Sequence, residues 1–153
     1  MPNTYTQIYI QIVFAVHKRK NLIPPEKREE LHKYITGIAT KRKHKLLAIF
    51  AMPDHIHMLV GFNDGPNIPD FVRDIKAGSS NFINKQNWFP HQFNWQTGYG
   101  GFSYSKSHMD RVVKYILNQE AHHKKQSFKE EYLQTLKAHE VEYDERYLFE
   151  WID

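Results

Sequence analysis

Two stretches of the chain carry side chains that can do chemistry. The first is "MPDHIHMLVG", residues 52–61, where His55 and His57 sit one residue apart inside an apolar run. Strand side chains alternate between faces. His55, His57 and Leu59 therefore point one way, and Ile56, Met58 and Val60 the other. The second set can pack beneath helices, while the first offers two imidazoles to a single metal ion. The plainer reading is two half-exposed strand residues. Position 59 is leucine, so the H-x-H-x-H strand of some nucleotide hydrolases is incomplete, and the repeated His-x-Thr/Ser unit of two-H phosphoesterases is absent.

The second stretch is "RVVKYILNQEAHHKK", residues 111–125. Tyr115 and Gln119 are four apart, one helical turn on one face. Val113, Ile116 and Leu117 can anchor that helix. Gln119 offers a neutral amide oxygen as a third metal ligand, and Tyr115 a hydroxyl nucleophile beside it. The competing reading is a buried tyrosine with a surface glutamine.

The elements that must position these groups follow from periodicity. "TYTQIYIQIVFAV" alternates and then turns apolar, a strand over about 5–16. "PPEKREELHKYITGIATKRKH" is a helix opened by Pro24 and Pro25, acidic early and basic late. "KLLAIFAM" and "HIHMLVGF" are strands joined at Pro53-Asp54, the second ending before the turn residues Asn63, Asp64, Gly65 and Pro66. "IPDFVRDIKAGSSNFINKQN" is a second helix, and "FNWQTGYGGFSYS" a fourth strand or hairpin. A third helix follows over 107–126 with Ser107 as N-cap, then a short one capped by Ser127 and an aromatic, acidic tail. This order predicts an α+β fold. It is the ferredoxin-like (split βαβ) antiparallel sheet with helices on one face and a C-terminal helical extension. We read one domain over 1–153: a sheet core over 1–106, the tyrosine helix over 107–126, and the last helix and tail over 127–153.

Composition sets the outer limits. At 153 residues the chain suits one core of ordinary size, and 41% hydrophobic with 25% charged content is typical of soluble domains. With no cysteine, disulfides and thiolate metal sites are excluded. A net charge of +4, with 10 histidines besides, is compatible with a polyanionic partner. The apolar run near the N-terminus is too short to span a membrane, and no targeting signal is visible, so we expect a cytoplasmic location.

"HIH" after "MPD" resembles the histidine–hydrophobe–histidine signature of the HUH nucleases, and "YILNQ" resembles the Tyr-x-x-x-Gln helix of their single-tyrosine branch. "WQTGYGGFSYS" and the tail "EYDERYLF" are similar to the same branch. The four stretches occur in the right order and cover nearly the whole chain. The sequence is thus identified as resembling the small HUH transposases of bacterial and archaeal insertion sequences, which move DNA as single strands. That resemblance implies a divalent cation, Mg²⁺ or Mn²⁺, on His55, His57 and Gln119, although ligand chemistry alone admits zinc or cobalt. It implies Tyr115 as nucleophile, a 5′-phosphotyrosine intermediate, and recognition of hairpins at element ends in single-stranded DNA. It also implies a homodimer, in which the tyrosine helix can complete the partner subunit's site, with "GFSYSKS" as a mobile linker. Asp54 faces away from the pair on a regular strand and stays outside the metal set.

Basic groups that can follow a phosphate backbone are Lys18, Arg19 and Lys20, Arg42 with its lysine neighbours, Arg73 and Lys76, and His122 and His123 beside Lys124 and Lys125. Trp88, Phe89, Phe93, Trp95, Tyr99 and Phe102 include potential base-stacking platforms, and core or dimer-interface roles compete for them. Two other functions stay open from sequence: a metal-dependent phosphohydrolase in which water attacks, and a domesticated, non-catalytic hairpin-binding module of the same fold.

Overall fold

A computed structural model describes residues 3–63 and 67–152; the expected turn at Asp64, Gly65 and Pro66 lies outside the described residues. Four strands, β1 (Ile8–Ala15), β2 (Lys45–Ala51), β3 (His55–Phe62) and β4 (Gly100–Tyr104), form one antiparallel sheet in the order β2-β3-β1-β4. β1 and β3 are central, pairing from Ile8↔Phe62 to Ala15↔His55. The β2–β3 connection is tight, closed by Met52 N–H donating to His55 O at 2.8 Å. The fourth strand is shorter than the stretch read for it, because only Trp95 in the preceding segment bridges the sheet, at Val16.

Alternation along β1 and β3 divides two cores. Ile10, Ile12, Phe14, Ile56, Met58 and Val60 are buried beneath helices α1 (Arg28–Lys41) and α2 (Ile68–Lys85), which supply Leu31, Ile35, Phe71 and Ile75. Those are the helices of the split βαβ unit. On the other face Leu59 and Ala48 pack with Met109, Val112 and Ile116 of α3 (Met109–Leu117). The C-terminal extension therefore roofs the face that carries His55 and His57, and the two rings are 0% and 3% exposed rather than half-open.

Ser107 is not the N-cap of the tyrosine helix. It lies inside a 3-10 turn over Lys106–His108, and α3 starts at Met109 without a side-chain cap. β4 absorbs Phe102, Ser103 and Tyr104, so little of the expected linker remains. The helix also breaks at Asn118, whose N–H is shared between the carbonyls of Lys114 and Tyr115, and resumes as the short α4 (Gln119–His122). Ser127 does cap α5 (Phe128–Ala138), in a reciprocal capping box with Glu130.

α5 is strapped down by the tail. The buried Gln96 amide donates to Glu150 O at 2.7 Å and accepts from Glu150 N–H at 2.8 Å. This seats Phe149 against Phe128 and Tyr132. Phe93, Trp95 and Phe102 are core residues, not exposed platforms, and Tyr99 is partly exposed. Among the described residues no helix is long and apolar enough to cross a membrane.

Gly100 permits the close approach of α5 to β4, since a Cβ there would lie 2.5 Å from the Tyr132 hydroxyl. Gly100→Val should cost about 1–3 kcal/mol by overpacking. Thermal unfolding followed by circular dichroism should then show a Tm lower by roughly 2–10 °C.

Candidate functional site

The site is built where β3, α4 and α5 meet under α3. His55 is held from behind: its Nδ1 lies 2.7 Å from Asp54 Oδ1, and its ring stacks on Phe128 at 3.8 Å. A carboxylate only accepts, so Nδ1 carries a proton and Nε2 faces inward. Asp54 thus belongs behind the ring, as its strand position implies. His57 is held likewise, with Nδ1 donating to the Gln11 amide oxygen at 2.8 Å; the Gln11 amide in turn donates to the Tyr104 hydroxyl at 3.1 Å.

Both inward nitrogens meet a carboxylate that the sequence reading did not identify. Glu131 of α5 is 2% exposed. Its Oε1 lies 2.9 Å from His57 Nε2, 3.6 Å from His55 Nε2 and 3.3 Å from His123 Nε2. Its other oxygen accepts from the Tyr115 hydroxyl and, at 3.2 Å, from the Gln119 amide nitrogen. Gln119 Oε1 points the opposite way, 2.9 Å from His123 Nε2 and 3.4 Å from His55 Nε2. Tyr115, His55, His57 and Gln119 therefore converge, all within one chain.

Glu131 had a sequence signal. Phe128, Tyr132 and Leu136 form the apolar stripe of α5, and Glu131 interrupts it with a charge. His123 continues the four-residue spacing of Tyr115 and Gln119. Its ring, read as a phosphate contact, is turned into the cluster instead, while His122 lies against the Tyr115 ring at 4.5 Å.

The other basic positions fall in two places. Lys18, Arg19 and Lys20 follow the end of β1 that pairs with His55. Lys18 and Arg19 line a groove there with Glu150, Trp151 and Ile152. Arg42, Arg73 and Lys76 belong to the helical layer on the far side of the sheet. Arg42 pairs with Asp74, and Arg73 with Asp70 and Asp74. Lys76 donates to the carbonyls of Gln96 and Gly98, and burial lowers its pKa to about 8.

Charge is unevenly shared in the cluster. Burial would raise the Glu131 carboxyl, but the facing rings of His123, His57 and His55 hold it far below the ordinary range. Burial outweighs Glu131 at His57 and keeps that ring below the usual histidine value. At His123 burial is outweighed by Glu131 and Asp54, and the value rises. Burial, then the charge and hydrogen bond of Glu131, push the Tyr115 hydroxyl well above the ordinary tyrosine range.

The donor set fits a divalent cation. The ligand atoms of His55, His57, His123 and Glu131 all lie within 4.8 Å of one another. Donors bound to one cation at about 2.0–2.2 Å each lie roughly 3–4 Å apart, close to the 2.9, 3.3 and 3.6 Å that separate Glu131 Oε1 from the three imidazole nitrogens. His55 Nε2 faces Gln119 Oε1 and Glu131 Oε1, oxygens that could join it on one cation.

Comparisons with known proteins place the chain in a family and match its fold. The profile of the IS200-like transposase family matches residues 4–119, a span that holds His55, His57, Tyr115 and Gln119 but neither His123 nor Glu131. The ISDra2 transposase TnpA of Deinococcus radiodurans is 27% identical over 74 residues, 48% of this chain and 53% of its own. The chain thus spans about half the length of that curated relative. Among solved structures, a candidate transposase from Deinococcus radiodurans R1 superposes with a TM-score of 0.61 at 25% identity, over 78% of this chain and 95% of its own. A REP-associated tyrosine transposase bound to a REP hairpin shares the fold, with a TM-score of 0.61 at 15% identity over 80% of this chain and 73% of its own. The chain belongs to the IS200-like transposase family.

Proposed function

We propose that this protein cleaves and rejoins single-stranded DNA through a 5′-phosphotyrosine on Tyr115, acting on hairpin-bearing ends of a mobile element inside the cell. The observation that carries this reading is the shared carboxylate: the Tyr115 hydroxyl and the inward-facing imidazoles contact the same Glu131 side chain. The REP hairpin held by a relative of the same fold supports a hairpin substrate.

His55, His57 and Gln119 would hold Mg²⁺ or Mn²⁺, with Glu131 and His123 completing the set. Bound there, the cation supplies positive charge that offsets the charge developing on the phosphate oxygens. The chain's own residues do the rest. Asp54 and Gln11 fix the two imidazoles from behind. Glu131 aims the Tyr115 hydroxyl; its low proton affinity makes it a positioning group rather than a strong base. The phenol oxygen gives up its proton and bonds to phosphorus as the bond to the 3′ oxygen breaks; the 3′ oxygen takes up one proton and leaves as a hydroxyl, so no net proton is gained or lost. The phosphodiester's free energy is kept in the adduct, so a 3′-hydroxyl can reverse the step without ATP. Lys18, Arg19 and Lys20, at the His55 end of the sheet, are the basic groups best situated to follow the strand. The site is complete in one chain, so a homodimer would carry two.

Incubating the protein with labelled single-stranded hairpin DNA and Mn²⁺ should give a denaturation-resistant adduct that maps to Tyr115, and Tyr115→Phe should abolish strand cleavage. Cleavage that survives Tyr115→Phe would point to water as nucleophile. Hairpin binding unaffected by His57→Ala, with no adduct from the wild type, would point to a binding module.

Two further outcomes follow from the supporting groups. Gln11→Leu should weaken Mn²⁺ binding by roughly 10- to 100-fold in calorimetric titration, with the circular dichroism spectrum unchanged. Glu131→Gln removes a charge-assisted hydrogen bond of about 1.5–3 kcal/mol. Adduct formation should then slow by about 10- to 100-fold, with Mn²⁺ affinity falling alongside.

A further inference from the structure

Beside Tyr115 a groove of about 440 Å³ runs between α3 and α5. That volume is in the range of sites that take small-molecule-sized guests. Tyr115 and Glu131, which the phenol hydroxyl joins, are both among its lining residues. Tyr104 and His122 line it with ring surface, the His122 ring lying 4.5 Å from that of Tyr115. Arg111 stands at the wall, with no ion-pair or hydrogen-bond partner among the described residues.

The groove also carries an amide pair. Gln126 Nε2 donates to Gln134 Oε1 at 2.7 Å. That bond leaves the Gln126 carbonyl oxygen as an acceptor and the Gln134 amide hydrogens as donors. An acceptor beside a donor is what a base edge requires, as when a glutamine or asparagine amide pairs with adenine. Rings for stacking, an amide edge for hydrogen bonding and a cation for the backbone suit one nucleotide better than an apolar metabolite.

A nucleotide joined to Tyr115 through its 5′-phosphate must lie within its own length of the phenol oxygen. We infer that the α3–α5 groove receives the base of that nucleotide, the first residue of the transferred strand, and that Gln126 and Gln134 read its edge. This inference rests on the phosphotyrosine reading above. It adds a specificity-determining pocket that selects the base attached to the enzyme.

The test uses the full chain, Mn²⁺ and a hairpin-bearing DNA library randomised across its single-stranded flank. DNA that becomes covalently attached is recovered and sequenced from the attached end. Wild type should favour one base or base class at the first attached position by roughly 5- to 150-fold. Gln126→Ala/Gln134→Ala should erase that preference while leaving the preferences at positions further along the strand. Gln134→Glu, which exchanges a donor for an acceptor, should shift the preference to a different base. The same first-position preference in the wild type and both variants would overturn the inference and leave the phosphotyrosine reading intact. No adduct from the wild type would overturn both.

Discussion

A carboxylate buried among imidazoles is the constraint on which the rest of this structure depends. An ionised group taken out of water must be paired or neutralised. Glu131 is almost wholly buried, and its partners are His57, His123, Gln119 and the Tyr115 hydroxyl. Those groups come from β3, α3, α4 and the turn after it. Satisfying one charge therefore fixes the placement of α5 against β3 and against the continuous run from α3 through the turn after α4. The capping box at Ser127, the Phe128 stack on His55 and the Gln96–Glu150 clasp all act on α5, the element that carries the carboxylate.

The electrostatics run in one direction. Burial and a neighbouring negative charge keep Tyr115 protonated, and burial keeps His57 neutral. His123 is drawn toward its charged form by Glu131 and Asp54. The cluster thus places one buried carboxylate among imidazole nitrogens, an arrangement that a divalent cation would favour. Positive charge at that point also lowers the cost of a phenolate. Donor set and nucleophile are coupled through a single side chain and need no long pathway.

Much of this was legible in the sequence. The strand–helix–strand–strand–helix–strand order gave the sheet, and alternation around His55 and His57 gave the correct division between the two faces. Tyr115 and Gln119 were found by a four-residue spacing, which survives the helix break at Asn118 because both side chains still reach Glu131. The break itself was hidden, since no proline or glycine marks it. Glu131 was missed because a carboxylate on an amphipathic helix ordinarily faces water. Its place on the stripe of Phe128, Tyr132 and Leu136 was the signal. The burial of the histidines was hidden for a related reason: periodicity says which residues share a face, and not that α3 and α5 will roof it. Arg42, Arg73 and Lys76 read as a phosphate track, whereas acidic and carbonyl partners engage them on the opposite layer.

The most direct measurement is anomalous diffraction at the manganese edge from crystals grown with Mn²⁺. The account predicts one strong peak bounded by His55 Nε2, His57 Nε2, Gln119 Oε1 and a Glu131 oxygen, with the hydroxyl of Tyr115 from the same chain beside it. A peak that leaves Glu131 turned away, or a centre whose tyrosine comes from another chain, would contradict it.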